Sequence, residues 1–190
     1  MDKNNIENII KESIAVKNKL LSKSEDILKL CKIALDTVKN GGVIFFCGNG
    51  GSACDAAHAS CELAGWFRKK HRSPIRAVAL GFETPLATAI GNDKGFEEVF
   101  ARQLEALAKP GDLLIAISTS GKSPSILRAL ETAGKIGIFR AALLGGSDSP
   151  AKKLSDFCVE IPSIDTPRIQ ECHLLVLHIL SEFVELKGTN

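Results

Sequence analysis

VIFFCGNGGSACDAAHASCE, residues 43–62, decides the architecture. The apolar run Val43 to Cys47 reads as a buried strand. Gly48, Gly50 and Gly51 then open a loop where backbone can approach a ligand closely. Ser52 and Asp55 form an S-x-x-D capping box, which predicts a helix from about Ala53. First-turn N–H groups of that helix favour an anion in the loop. His58 and Glu62 stand four residues apart and share one helical face behind it. An anion cradle beside an imidazole and a carboxylate is a catalytic layout.

Outward from this unit, apolar runs alternate with helical periodicity. Ile75–Leu80, Leu113–Ile117, Arg140–Leu144 and Phe157–Ile161 read as further strands. Thr84-Pro85 starts a short helix, and Asn92-Asp93-Lys94-Gly95 carries turn chemistry. Phe96, Val99, Phe100, Leu104 and Leu107 mark the next helix, closed by Pro110-Gly111. Ser123 caps a helix that has Pro124 in its first position, and Thr166-Pro167 opens a last helix reaching about Leu186. Ahead of the core, Ile6, Ile9, Ile10, Ile14, Leu20 and Leu21 recur at helical spacing. Ser24 caps a second helix, which Asn40-Gly41-Gly42 stops. The pattern predicts an α/β domain with a doubly wound, mainly parallel sheet of about five strands. Residues 1–40 form a helical pair in front of it, a lid or an oligomer contact.

A chain of 190 residues fits one domain with a full core. The net charge of +2 gives no argument for nucleic acid or membrane as a partner. The N-terminus MDKNNIENIIKES reads as neither a signal peptide nor a membrane span. Six cysteines without a C-x-x-C pair read as reduced core thiols of a cytoplasmic protein.

Two familiar motifs are incomplete. Gly48, Gly50 and Ala53 fit a loose dinucleotide fingerprint, but the acidic residue it needs after the second strand is represented only by the late Glu83. Gly121-Lys122-Ser123 resembles the end of a P-loop, yet Ala116 occupies the position of its first glycine. What Ser118-Thr119-Ser120-Gly121-Lys122-Ser123 does supply is four hydroxyls and backbone N–H groups ahead of a helix. A cap alone needs only Ser123, so the run favours phosphate. Lys122 is expected in solvent.

The remaining polar candidates have bland alternatives. His58 and Glu62 suit a metal or acid/base pair, or an exposed charge pair. The last helix carries Gln170, Glu171, His173 and His178 among apolar residues, and His173 fits a core position. Gln170 and His178 are eight residues apart, about 12 Å of helix. One small site uses both only if they lean together or come from different chains. Arg68-Lys69-Lys70-His71-Arg72 reads as a solvated loop.

The blocks GNGGSACDAAHASCE (48–62), GNDKGFEEVFARQ (91–103), GDLLIAISTSGKS (111–123) and RIQECHLLVLHIL (168–180) together resemble the SIS (sugar isomerase) family and, within it, the phosphoheptose isomerases. The resemblance covers nearly the whole chain. It implies a flavodoxin-like SIS domain over 41–190, with 1–40 as a helical extension. It also implies conversion of D-sedoheptulose 7-phosphate to D-glycero-D-manno-heptose 7-phosphate, towards bacterial surface heptose. The matching substrate-binding positions are Asn49, Gly50, Gly51, Ser52, Glu62, Asn92, Asp93, Ser118, Thr119, Ser120, Ser123 and Gln170. For such an isomerisation Glu62 is expected as the base for the carbon-bound proton and His178 as the acid/base at the oxygens. His58, Glu62, Gln170 and His178 match the ligands of one zinc ion (Zn2+) per subunit, in a homotetramer with sites at subunit contacts. Pro167 departs from members that carry Asp there. The competing expectation is a non-catalytic SIS protein that binds a phosphosugar or a protein, as relatives do in replication initiation; retention of Glu62, Gln170, His178 and the STSG loop favours the enzyme.

Overall fold

The computed structural model describes residues 1–146 and 148–188. In chain order the helices and strands are α1 (Lys3–Leu20), α2 (Ser24–Lys39), β1 (Ile44–Gly48), α3 (Gly51–Ala64), β2 (Ala77–Ala79), α4 (Thr84–Lys94), α5 (Val99–Leu107), β3 (Leu113–Ser118), α6 (Pro124–Ile136), β4 (Phe139–Gly145), α7 (Pro150–Leu154), β5 (Phe157–Ile161) and α8 (Thr166–Gly188). The five strands pair in the order β2-β1-β3-β4-β5, every pair parallel. This is the expected doubly wound sheet, and the direction in which strands are added reverses between β1 and β3.

Side chains of the central strands alternate between two apolar layers. Ile44, Phe46, Leu113, Ile115 and Ile117 pack on one face with Leu30 and Ala34 of α2, Ala59 and Leu63 of α3, and Val176 and Leu180 of α8. Phe45, Cys47, Leu114 and Ala116 pack on the other with Phe100 and Leu104 of α5 and Ile126 and Leu130 of α6. Burial on both faces explains why β1 and β3 read as unbroken apolar runs.

Several local expectations change in detail. The Ser52–Asp55 capping box does not form: α3 starts at Gly51 with Gly50 as its cap and no side-chain cap bond. Both residues are buried instead. Ser24 is the first residue of α2 and donates back to Leu21 O, so it does not cap that helix. Ser123 stands at the cap position of α6, but its hydroxyl is engaged elsewhere. Asn92, Asp93 and Lys94 form the last turn of α4, and the chain reverses only at Gly95, where φ is +97°. α1 forms as expected, yet Ile6, Ile9, Ile10 and Ile14 remain 40–52% exposed, although α1 meets α8 beside them, as in the Ser13–Glu171 hydrogen bond. All six cysteines are free; Cys31, Cys47 and Cys172 are buried, whereas Cys54 and Cys61 are exposed.

Candidate active site

The loops after β1 and β3 leave adjacent strands at their carboxyl ends, where open α/β sheets hold ligands. Asn49 ties them together: its Nδ2 donates to Ser123 Oγ at 2.8 Å and to Ser125 Oγ at 2.9 Å. Between the loops lies a cavity of about 150 Å³, lined by Asn49, Ser52, Ile117, Ser118, Thr119, Ser120, Ser123 and Gln170. Three glycines shape its edge for three reasons. Gly50 has φ +55°, a left-handed conformation that suits glycine. A Cβ on Gly48 would sit 2.3 Å from the Ser52 carbonyl oxygen, and one on Gly51 would sit 2.5 Å from Gln170 Nε2. Ser118 Oγ accepts the Gly121 N–H at 3.0 Å, so part of the hydroxyl run holds the loop in shape. Lys122 is exposed, as expected.

Further along α3 a second cluster forms. His58 Nε2 lies 3.3 Å from Glu62 Oε1 and 2.8 Å from His178 Nε2 of α8. Glu62 retains 19% side-chain exposure, so the cluster is reachable without being fully solvated. The Phe67 ring packs against His178 at a centroid distance of 5.4 Å. Two imidazole nitrogens this close require a proton on one of them or a shared cation. Behind the cluster, burial pushes the Asp55 carboxyl up to about 6, partly offset by His58, and its Oδ2 has no hydrogen-bond partner. His173 is fully buried, and burial pushes it down to about 4, which makes it a neutral core residue.

All but two of the predicted residues therefore fall into two groups. Asn49, Gly50, Gly51, Ser52, Ser118, Thr119, Ser120, Ser123 and Gln170 surround or border the cavity. His58, Glu62 and His178 meet one another instead. Gln170 and His178 do not lean together: one lines the cavity and the other bonds His58. Ser52 and Glu62 are separated by ten residues, about 15 Å of helix. Asn92 and Asp93 are exposed, bond one another and do not line the cavity.

The basic stretch differs most from expectation. Arg72 is buried, not solvated, and pairs with Glu185. Sequence reasoning missed both partners, together with Phe67 and the Asn49 tie. The available signal was a glutamate in an apolar helix, seven residues beyond His178 and so on its face.

A family model described as the SIS domain matches residues 9–145. The phosphoheptose isomerase of Akkermansia muciniphila is 45% identical over 166 residues, covering 87% of each chain. That of Helicobacter pylori (strain P12) is 45% identical over 181 residues, covering 93% of this chain and 94% of its own. The chain belongs to the phosphoheptose isomerase family. Among solved members of the family, the phosphoheptose isomerase of Francisella tularensis superposes with a TM-score of 0.94 at 33% identity, over 98% of this chain and all of its own. Family membership agrees with the flavodoxin-like strand order and the helical N-terminus. No described helix is long and apolar enough to cross a membrane.

As a metal centre, the His58–Glu62–His178 cluster has the right chemistry and a closed geometry. Two imidazoles and a carboxylate are a zinc donor set, and bonds of about 2.0 Å would place two tetrahedral nitrogens about 3.3 Å apart. The nitrogens here are at hydrogen-bond separation, 2.8 Å. Among the described residues no group of three or more His, Cys, Asp or Glu is already arranged around a metal position.

Proposed function

We infer that the chain interconverts D-sedoheptulose 7-phosphate and D-glycero-D-manno-heptose 7-phosphate, an aldose–ketose isomerisation that starts the route to bacterial surface heptose. The observation that carries this reading is the pairing of a hydroxyl-lined cavity at the sheet's switch point with a Glu62–His58–His178 cluster on the helices beside it.

The cavity suits the 7-phosphate: Ser118, Thr119, Ser120 and Ser123 offer hydroxyls, and α6 directs its N-terminal dipole there. That remote grip holds the reacting carbons against the acid/base groups. Glu62 takes the C1 proton of the ketose, and the electron pair forms a C1–C2 double bond while O2 becomes an enediolate oxygen. His178 delivers a proton to O2 and collects the one leaving O1. Glu62 then returns its proton to C2 and the aldose results. His58, between the two, orients both.

The 12–15 Å of helix between cavity and cluster is longer than a site closed within one chain needs. This supports a homotetramer in which one subunit's cavity faces another's cluster, with Asn92 and Asp93 reaching a neighbouring site. The exposed isoleucine stripe of α1 supports the same assembly. One zinc ion per subunit would be held by His58, Glu62 and His178, with Gln170 as the fourth donor. Such an ion, when bound, would supply Lewis-acid polarisation of the substrate oxygens. The reading belongs to a cytoplasmic enzyme with reduced thiols.

The test replaces the base. Glu62→Gln is expected to lower turnover of D-sedoheptulose 7-phosphate by at least about 100-fold while calorimetric binding of the sugar phosphate persists. Unchanged turnover would remove Glu62 from the mechanism. Assays with arabinose 5-phosphate and fructose 6-phosphate separate heptose from other sugar specificities.

A further inference from the structure

Among the described residues Arg72 and Glu185 are the most enclosed ion pair, with side-chain exposures of 0% and 1% and an Nε–Oε1 distance of 2.8 Å. Each also reaches into the frame of the His58–Glu62–His178 cluster. The last turn of α3 leaves four carbonyls to be satisfied at this end. Gly65 N–H serves Cys61 O at 2.8 Å, and Ile75 N–H serves Leu63 O at 3.1 Å. The carbonyl between them belongs to Glu62, and Arg72 Nη2 donates to it at 2.7 Å. Arg72 thus holds the peptide of the candidate base itself.

Glu185 works from the other helix. Its carboxylate accepts N–H groups of Phe67 at 2.9 Å, Arg68 at 2.8 Å and Lys69 at 2.9 Å, besides Arg72 Nε. It stands two turns beyond His178 on the same face of α8. The loop it gathers carries Phe67, whose ring rests on His178. One guanidinium and one carboxylate therefore link the backbone of Glu62, the helix of His178 and the ring against that histidine. A buried ion pair contributes little stability beyond an apolar pair of equal shape. Its distinctive product here is direction.

We propose that Arg72 and Glu185 are positioning residues for the isomerisation, locking the end of α3 and seating Phe67 so that Glu62 and His178 keep their mutual aim across His58. The proposal rests on the isomerase reading above.

Arg72→Lys in the full-length chain keeps the charge beside Glu185, but a single ammonium does not reproduce the planar fork that also serves the Glu62 carbonyl. With D-sedoheptulose 7-phosphate the expected result is a KM within about 2-fold of wild type and a kcat lowered roughly 10- to 100-fold, because a small misplacement of a reacting group is costly. The pH profile of kcat moves as well. A purely structural role would lower the folded fraction and leave kcat per folded site and the pH profile unchanged, and that result would overturn the proposal. Phe67→Leu covers the case in which Arg72→Lys does not fold: it keeps the backbone bonds to Glu185 and removes the ring from His178. Its kcat is expected to fall several-fold at unchanged KM, and a wild-type kcat would count against the proposal. Failure of the wild-type chain to turn over the heptulose phosphate would remove the isomerase reading itself; unchanged kcat in both variants would remove only the positioning role.

Discussion

The side-chain amide of Asn49, in the loop after β1, donates to the hydroxyl of Ser123, at the start of α6, across 2.8 Å. These residues are 74 apart in sequence, yet their bond closes the crevice at the point where the sheet changes direction. Asn49→Ala should cost about 1 kcal/mol of stability, the net worth of a typical side-chain hydrogen bond. It should also loosen the cavity between the two loops and raise KM by roughly 10-fold, equivalent to about 1.4 kcal/mol of binding. Urea unfolding and steady-state kinetics on the same preparation measure both.

Gly48 and Gly51 separate fold from binding. A methyl at Gly48 meets the Ser52 backbone carbonyl, which cannot step aside, whereas a methyl at Gly51 meets the mobile end of Gln170. Gly48→Ala is expected to destabilise by about 3 kcal/mol or to prevent folding. Gly51→Ala should fold, displace the Gln170 amide from the cavity and raise KM. Equal melting temperatures for the two variants would contradict this assignment.

Asp55 makes the protein less stable as pH rises. Burial lifts its carboxyl from 3.8 to about 6, against the pull of His58, so the folded state holds the proton more tightly than the unfolded chain. Its contribution is complete below about pH 4 and is lost as pH climbs through 6, by up to about 3 kcal/mol. Asp55→Asn should therefore raise the melting temperature at pH 7.5 and flatten the decline between pH 4 and 6. Thermal unfolding across that range distinguishes the two profiles.

Glu185 has the opposite sign. Burial raises its pKa, but the Arg72 guanidinium and the N–H groups of Phe67, Arg68 and Lys69 prevail and hold it at about 2. Stability from this carboxylate is present above about pH 4.5 and disappears as pH falls through 2, again about 3 kcal/mol. Glu185→Gln should lose about 3–5 kcal/mol at pH 7, since it strands the Arg72 charge in the interior. The gap between variant and wild type should close as the pH approaches 2, which chemical unfolding in acid would follow.

Much of the site could be found along the chain because its signals are local. Glycines after an apolar strand, hydroxyls ahead of a helix proline, and His58 four residues before Glu62 are patterns of neighbouring residues, and most of the residues they picked out gather in the cavity or the cluster. The same local reasoning misplaced the Ser52–Asp55 box and the Asn92–Gly95 turn. Side chains that suit a cap or a turn were drawn into the interior in one case and into a final helical turn in the other. It also left Arg72 in solvent, since nothing within a few residues marks its partner.

The amino-acid order by itself determined the alternation of strands and helices, the hydroxyl-rich loop ahead of α6, and the identity of the acid/base candidates, because periodicity and turn chemistry act over a few residues. Only the packing of α3 against α8 decided that His178 meets His58 and not Gln170, that Glu185 gathers the 67–69 loop, and that Asp55 is enclosed without a full set of partners. Those contacts join residues more than a hundred positions apart, or set burial at a layer boundary. They exist only once two apolar faces have closed and fixed which polar groups are left to satisfy one another.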